Sequence, residues 1–207
     1  MRQSIKMRWN EIDLKDWKNA NINVDSLWII PQRDKSGKHQ NIYHGNFIPQ
    51  IPRELFTRYT KRGKIVLDAF LGSGTSLYEA QNLGRKCIGM DINSKILEYV
   101  KAQMEGECPS TYYFGFCDNT DSLSVDCFMQ EALESLNDKS VQFVILHPPY
   151  MDIVHFSENP NDLSHLDNLT HFVQAFVRST QNVIKFLDVG RYFAVVIGDV
   201  YKQSDSM

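Results

Sequence analysis

The stretch Val66-Leu-Asp-Ala-Phe-Leu-Gly-Ser-Gly-Thr75 decides the architecture of this 207-residue chain. Its first half is a continuous apolar run, as expected of a parallel strand covered on both faces. Its second half is a glycine turn from which a helix over Thr75 to Leu83 departs, with Gly84 placed to end it. Glycine lets the backbone take left-handed angles and approach a ligand closely, which is how a strand-to-helix turn in an open α/β sheet makes room for a nucleoside cofactor. Gly72 and Gly74 suit that role, with Asp68 at the strand end and Ser73 and Thr75 as hydroxyl donors. A small-residue turn also serves merely to pack a helix on a strand, and the third glycine of the dinucleotide fingerprint is missing here.

The same alternation extends in both directions. Ahead of the turn, Ile51 opens a helix with Pro52 in its first turn, an apolar face of Leu55, Phe56 and Tyr59, and a break at Arg62-Gly63, followed by a strand over Lys64 to Asp68. Behind it come a strand at Lys86 to Asp91, a helix at Ser94 to Met104, a strand at Thr111 to Phe116 and a helix at Phe128 to Leu136. A fourth strand at Val141 to Leu146, a long amphipathic helix at His171 to Leu187 and a fifth strand at Tyr192 to Ile197 complete the pattern. Strands alternating with helices predict an α/β fold with a Rossmann-like, doubly wound, mostly parallel sheet. Residues 1–45 are polar and aromatic and read as an N-terminal arm, with residues 46–207 as the domain proper.

Bulk properties narrow the possibilities. The length fits one α/β domain with a real core. A formal net charge of −3 excludes a protein that holds nucleic acid mainly by a basic surface, so DNA contact must come from a local patch or a partner. The basic residues nearest to such a patch are Arg33, Lys35, Lys38, Arg53, Arg58, Lys61 and Arg62, either for phosphates or as a solvated face. Four cysteines with neither Cys-x-x-Cys spacing nor a nearby histidine predict reduced, mostly buried thiols and no metal site. The N-terminus lacks a signal-peptide apolar run, and no stretch approaches the roughly 18 apolar residues of a membrane span, which predicts a cytoplasmic protein.

The chemistry lies in a second segment, Ile145-Leu-His-Pro-Pro-Tyr150, in which a buried strand is stopped by two prolines and followed by an aromatic ring. By itself this reads equally as a Pro-Pro turn ending a strand. Paired with the Asp-x-Phe-x-Gly-x-Gly-Thr turn of Asp68 to Thr75, it resembles the S-adenosylmethionine-dependent methyltransferases that modify exocyclic amino groups of bases in DNA. In that family an Asp/Asn/Ser-Pro-Pro-Tyr/Phe/Trp tetrapeptide is catalytic, and this chain carries His147 at the variable first position. The rival cofactor for such a sheet, NAD, is disfavoured by Phe70 ahead of the first glycine and by the Gly84-Arg-Lys-Cys-Ile-Gly-Met-Asp-Ile-Asn93 segment.

The resemblance implies S-adenosyl-L-methionine as cofactor, a class I methyltransferase fold, and DNA as substrate with the target base flipped into the site. Asp91, one βαβ unit after Asp68 and followed by Ile92, is the expected ribose ligand, or else simply caps the helix starting at Ser94. Asp118 is implied for the adenine amino group, and Asn46-Phe47-Ile-Pro49-Gln50 for the methionine half. The base amino nitrogen is a poor nucleophile because its lone pair is delocalised into the ring. Acceptors on its two N–H bonds help, and the resemblance assigns them to the Pro148 carbonyl and the His147 side chain, with Pro149 stiffening the turn and Tyr150 stacking on the base. A histidine accepts only when neutral.

Members of this family usually carry seven strands, so the expectation here is a sheet lacking its last strands, from a truncated or split enzyme. No inserted target-recognition domain fits, which points to a homodimer or a complementary subunit for recognition. Cytosine N4 or adenine N6 in DNA, as in a restriction-modification system, is the leading substrate class. RNA or protein glutamine as acceptor, or a non-catalytic methyltransferase-like subunit, remain open alternatives.

Overall fold

The computed structural model describes residues 9–198 apart from 14, 21, 41, 43, 44, 152 and 153. The tail from Lys202 to Met207, and with it the expectation of a truncated end, lies outside the described residues.

Five strands, β1 (Ile65–Asp68), β2 (Lys86–Asp91), β3 (Tyr112–Phe116), β4 (Val141–Leu146) and β5 (Leu187–Val195), form one sheet in the order β3-β2-β1-β4-β5. Every pairing is parallel. The helices are α1 (Gln50–Tyr59), α2 (Thr75–Asn82), α3 (Ser94–Gln103), α4 (Ser122–Ser135) and α5 (Leu169–Ile184). All residues of β1 and β4 are buried, which is why these two strands read as mostly apolar runs, broken only by Asp68 and Gln142. On one face Phe56, Leu77, Leu97 and Val100 from α1 to α3 pack on Val66, Phe143 and Ile145. On the other, Val125, Met129 and Ala132 of α4 and Val183 of α5 pack on Ile65, Leu67, Ile88 and Val144. The strand order reverses direction between β1 and β4, and ligands of open α/β sheets bind at the carboxyl ends of strands at such a switch point.

Several boundaries differ from expectation. α4 starts at Ser122, well ahead of Phe128, because the Asp121 side chain accepts the N–H groups of Leu123 and Ser124 and so starts the helix through a polar first turn. α5 ends at Ile184, and Leu187, expected as its last residue, instead pairs with Val141 at the start of β5. The register then shifts between Val141 and Phe143, with Gly190 at a φ of +77°, so the strand starts well ahead of the expected Tyr192 with a bulge, and β5 stops at Val195, short of Ile197.

The arm wraps the α1 face of the domain. Asn10 donates to the Arg58 carbonyl at 2.6 Å, and Glu54 accepts the Asn23 N–H at 2.6 Å. A buried network completes the attachment: Glu79 of α2, fully buried, bonds His39 at 2.6 Å through one oxygen and Arg53 Nε at 2.8 Å through the other. Arg53 also reaches Asp34. Burial works against the Glu79 charge, but His39 and Arg53 outweigh it and hold this carboxyl below its usual range. Four of the basic side chains considered for phosphate contact, Arg33, Lys38, Arg53 and Arg62, thus face protein groups. Cys87 and Cys117 are buried, whereas Cys108 and Cys127 are exposed, against the expectation of mostly buried thiols. Among the described residues no cluster of three or more His, Cys, Asp or Glu could hold a metal ion, and no helix is long and apolar enough to cross a membrane.

Candidate active site

A cleft opens at the carboxyl ends of β1, β2 and β4. The glycine turn contributes Ala69, Phe70, Leu71, Gly72 and Thr75 to its wall. Gly74, at a φ of +89°, is the N-cap of α2, and a Cβ there would lie 2.8 Å from the Tyr78 ring. Gly89 in β2 is equally constrained, because a Cβ would lie 2.7 Å from Leu71 of the turn. Gly89 lets the turn lie directly on β2, and Gly74 leaves room for the Tyr78 ring.

Asp91 and Ile92 form the next part of the wall. Asp91 accepts the Gly72 N–H at 2.7 Å on one oxygen and the Asn93 N–H at 2.8 Å on the other, so it shapes the turn as well as facing the cleft. Burial raises its pKa to about 6. The helix-capping role considered for Asp91 belongs to Asn93, whose side chain accepts the N–H groups of Lys95 and Ile96. Asp68 stands behind the turn and not in the cleft wall. It accepts the Phe70 N–H at 2.9 Å; its second oxygen faces the Ser76 hydroxyl without a hydrogen bond of normal geometry, and burial lifts the acid to about 6.

The end of the arm supplies the opposite wall. Gly45, Asn46 and Phe47 line the cleft, and Asn46 donates to the hydroxyl of Ser73 at 2.8 Å, while its own side-chain oxygen is buried with no partner among the described residues. Arg33 holds this segment by donating to the carbonyls of Asn46 and Phe47 at 3.2 and 3.1 Å. Pro49 is buried as the N-cap of α1, outside the wall, and Ser73 and Gly74 are likewise in the turn but not in the lining.

His147, Pro148, Pro149 and Tyr150 all line the cleft. The His147 ring packs edge-on against Phe47 at 4.8 Å between centroids and against Tyr150 at 6.0 Å. Burial pushes its pKa down to about 4, so the imidazole is neutral at physiological pH and able to accept a hydrogen bond. The Tyr150 hydroxyl accepts the Gly198 N–H at 2.9 Å, which fixes the ring at the mouth of the cleft.

Asp118 is close by but not in the wall: one oxygen takes the N–H and hydroxyl of Thr120 and the other takes the Asn161 amide. The lining residues that the sequence did not single out are Asn119 and the loop residues Phe156, Asn161, Asp162 and Leu163. That loop is tied down by Asn93, which donates to the Phe156 carbonyl at 2.6 Å, and by Asp162, which caps the turn at Leu163–His165. Its only sequence signal is its place immediately after the tetrapeptide.

The sequence pattern of the DNA methylase family matches residues 2–102. The chain is similar to the type II methyltransferase M.HpaI of Haemophilus parainfluenzae, at 33% identity over 104 residues that cover 47% of this chain and 30% of that protein. It is also similar to a tRNA (guanine(10)-N2)-dimethyltransferase of Methanocaldococcus jannaschii, at 27% identity over 132 residues that cover 59% of this chain and 36% of the relative. The chain thus spans well under half the length of these curated relatives. TrmN from Thermus thermophilus has a similar fold, with a TM-score of 0.51 at 18% identity over 73% of this chain and 39% of that one. The match to the DNA methylase pattern points to S-adenosylmethionine as the cofactor. The cleft fits it: Asp91 offers a carboxylate to ribose hydroxyls, and the unpartnered buried oxygen of Asn46 offers an acceptor to an ammonium group. The chain has the Rossmann-like fold of class I methyltransferases, and its residues 2–102 match the sequence pattern of the DNA methylase family.

Proposed function

We propose that this chain transfers a methyl group from S-adenosylmethionine to the exocyclic amino group of a flipped cytosine (N4) or adenine (N6) in DNA. The observation that carries the proposal is that His147, Pro148, Pro149 and Tyr150 share one cleft with Gly72 and Asp91. When bound, the cofactor supplies an electrophilic methyl group on a sulfonium sulfur. The chain's own residues then do the rest. Gly72, Ser73, Gly74, Thr75, Phe70 and Ile92 shape the cofactor side of the cleft, Asp91 accepts from ribose, Asp68 braces the turn, and Asn46, Phe47 and Pro49 set the methionine side. The Pro148 carbonyl and the neutral His147 imidazole each accept one N–H of the target amine, which favours a pyramidal nitrogen and stabilises its positive charge as the N–CH₃ bond forms and the S–CH₃ bond breaks. One amine proton is then lost to water, since an imidazole with a pKa near 4 does not retain it. Tyr150 stacks on the base.

Target recognition, in this proposal, comes from a second copy or a complementary subunit, as in a restriction-modification system inside the cell. The exposed apolar residues Val189, Tyr192, Phe193 and Val195 along β5, an edge strand, support association. A second reading, methylation of an RNA amino group, is favoured by the tRNA methyltransferase relative, whose match covers more of this chain than that of M.HpaI. Incubating the purified chain with labelled S-adenosylmethionine and DNA, tRNA or protein in parallel separates the readings. Label in DNA supports the first reading and label in RNA the second. Binding without transfer to any acceptor indicates a non-catalytic subunit.

A further inference from the structure

We infer that the adenine end of the cofactor is read by Asn161, on the loop that follows the catalytic tetrapeptide, with Asp118 acting as the positioning residue behind it. The inference rests on the proposed use of S-adenosylmethionine. Three observations carry it. First, Asn161 lines the cleft and Asp118 does not. Second, the Asp118 carboxylate is already engaged on both oxygens, by Thr120 at 2.9 and 2.6 Å and by the Asn161 side-chain amide at 2.8 Å. Third, the loop is anchored at the adenosine side of the cleft, because Asn93, two residues beyond Asp91, donates to the Phe156 carbonyl at 2.6 Å.

A side-chain amide is planar. With its NH₂ group committed to Asp118, Asn161 keeps its oxygen as an acceptor, the group needed to receive an exocyclic N–H of adenine. Asp118 fixes which way the amide faces, which selects a 6-amino purine over a 6-oxo purine: hypoxanthine presents a carbonyl where adenine presents N–H donors, and two acceptors then oppose each other.

The test measures binding of S-adenosylhomocysteine and of its inosine counterpart to wild type, Asn161→Ala, Asn161→Asp and Asp118→Asn by calorimetry. Wild type is expected to prefer the adenine compound by about tenfold or more. Asn161→Ala, an exposed position whose loss leaves the fold intact, should reduce that preference to about one, and Asn161→Asp, which sets a second carboxylate against Asp118 and so loses the bond that orients the acceptor, should reduce it as well. Asp118→Asn should narrow the preference by releasing the amide, an effect that a merely structural residue would not have on the ratio of two ligands. Undiminished preference in Asn161→Ala overturns the inference and leaves the cofactor assignment standing. Failure of wild type to bind S-adenosylhomocysteine at all overturns both.

Discussion

Asn46, ahead of the first helix of the domain, donates its side-chain amide to the hydroxyl of Ser73 in the glycine turn at 2.8 Å. Through this bond the arm's last residues and the cofactor turn form one wall. Asn46→Ala removes both that bond and the unpartnered acceptor, and should weaken S-adenosylmethionine binding by about tenfold, as for loss of one or two hydrogen bonds. Arg33→Met should weaken it to a smaller degree, since Arg33 holds the Asn46 and Phe47 carbonyls from behind. Calorimetric affinities equal to wild type in both variants would show that the methionine half lies elsewhere.

Cofactor binding should depend on pH through Asp91. Burial raises its pKa to about 6, so the charged acceptor is present above that value and lost as pH falls through it. Affinity should therefore drop on acidification through about pH 6, and Asp91→Asn should bind more weakly but with a flat profile. Asp68 titrates in the same range but stands outside the cleft wall, so a drop that persists in Asp91→Asn would assign the effect to Asp68. In the cofactor-free protein the linkage has the opposite sign. Carboxyls raised in the folded state bind protons before the unfolded chain does, so these two add stability as pH falls from 7 toward their unfolded value.

The His39–Glu79–Arg53 network should make attachment of the arm sensitive to acid. Glu79 is held below its unfolded pKa, so its contribution to stability is present above about pH 4.5 and is lost as pH falls through the folded value. Glu79→Gln should cost about 2 to 3 kcal/mol at neutral pH, below the figure for a fully buried pair because the Arg53 side chain is 39% exposed. Urea denaturation of wild type and variant should show this gap at pH 7 and a smaller one near pH 3.5. A gap that does not narrow in acid would mean that the network stabilises by packing alone.

Tyr150 should separate substrate from cofactor effects. Tyr150→Ala removes a stacking platform worth about 1 to 3 kcal/mol per base, and the loss should appear in the KM for nucleic acid far more than in cofactor affinity. Tyr150→Phe gives up only the bond to Gly198 and should retain most of the activity. Equal loss in the two variants would give the hydroxyl, and not the ring face, the leading part.

Much of this arrangement was legible in the sequence because it is local. The β1 and β4 runs are mostly apolar since both faces are covered, and the glycine turn and the tetrapeptide follow them directly. What was not legible depends on contacts between distant segments. The order of Leu187 and Gly190 in a bulged β5 is set by pairing with Val141 and Phe143, not by local periodicity. Phe156, Asn161 and Asp162 look like ordinary loop residues until Asn93 and Asp118 are seen to hold them over the cleft. Asp68 and Asp118 have the residue type and strand position expected of ligands, but a shift of a residue or two around each strand end decides whether a carboxylate faces the cleft or braces it from behind.

The central claim is that the tetrapeptide and the glycine turn serve one reaction at a base amino group. The most direct measurement is transfer of labelled methyl from saturating S-adenosylmethionine to DNA by wild type and His147→Ala, with the product nucleosides identified across a pH series. The account predicts N4-methylcytosine or N6-methyladenine from wild type, a rate level well below pH 6 because His147 titrates near 4, and a fall of about 100-fold in His147→Ala. Cofactor binding without either nucleoside in wild type, or a His147→Ala rate and pH profile equal to wild type, would contradict it.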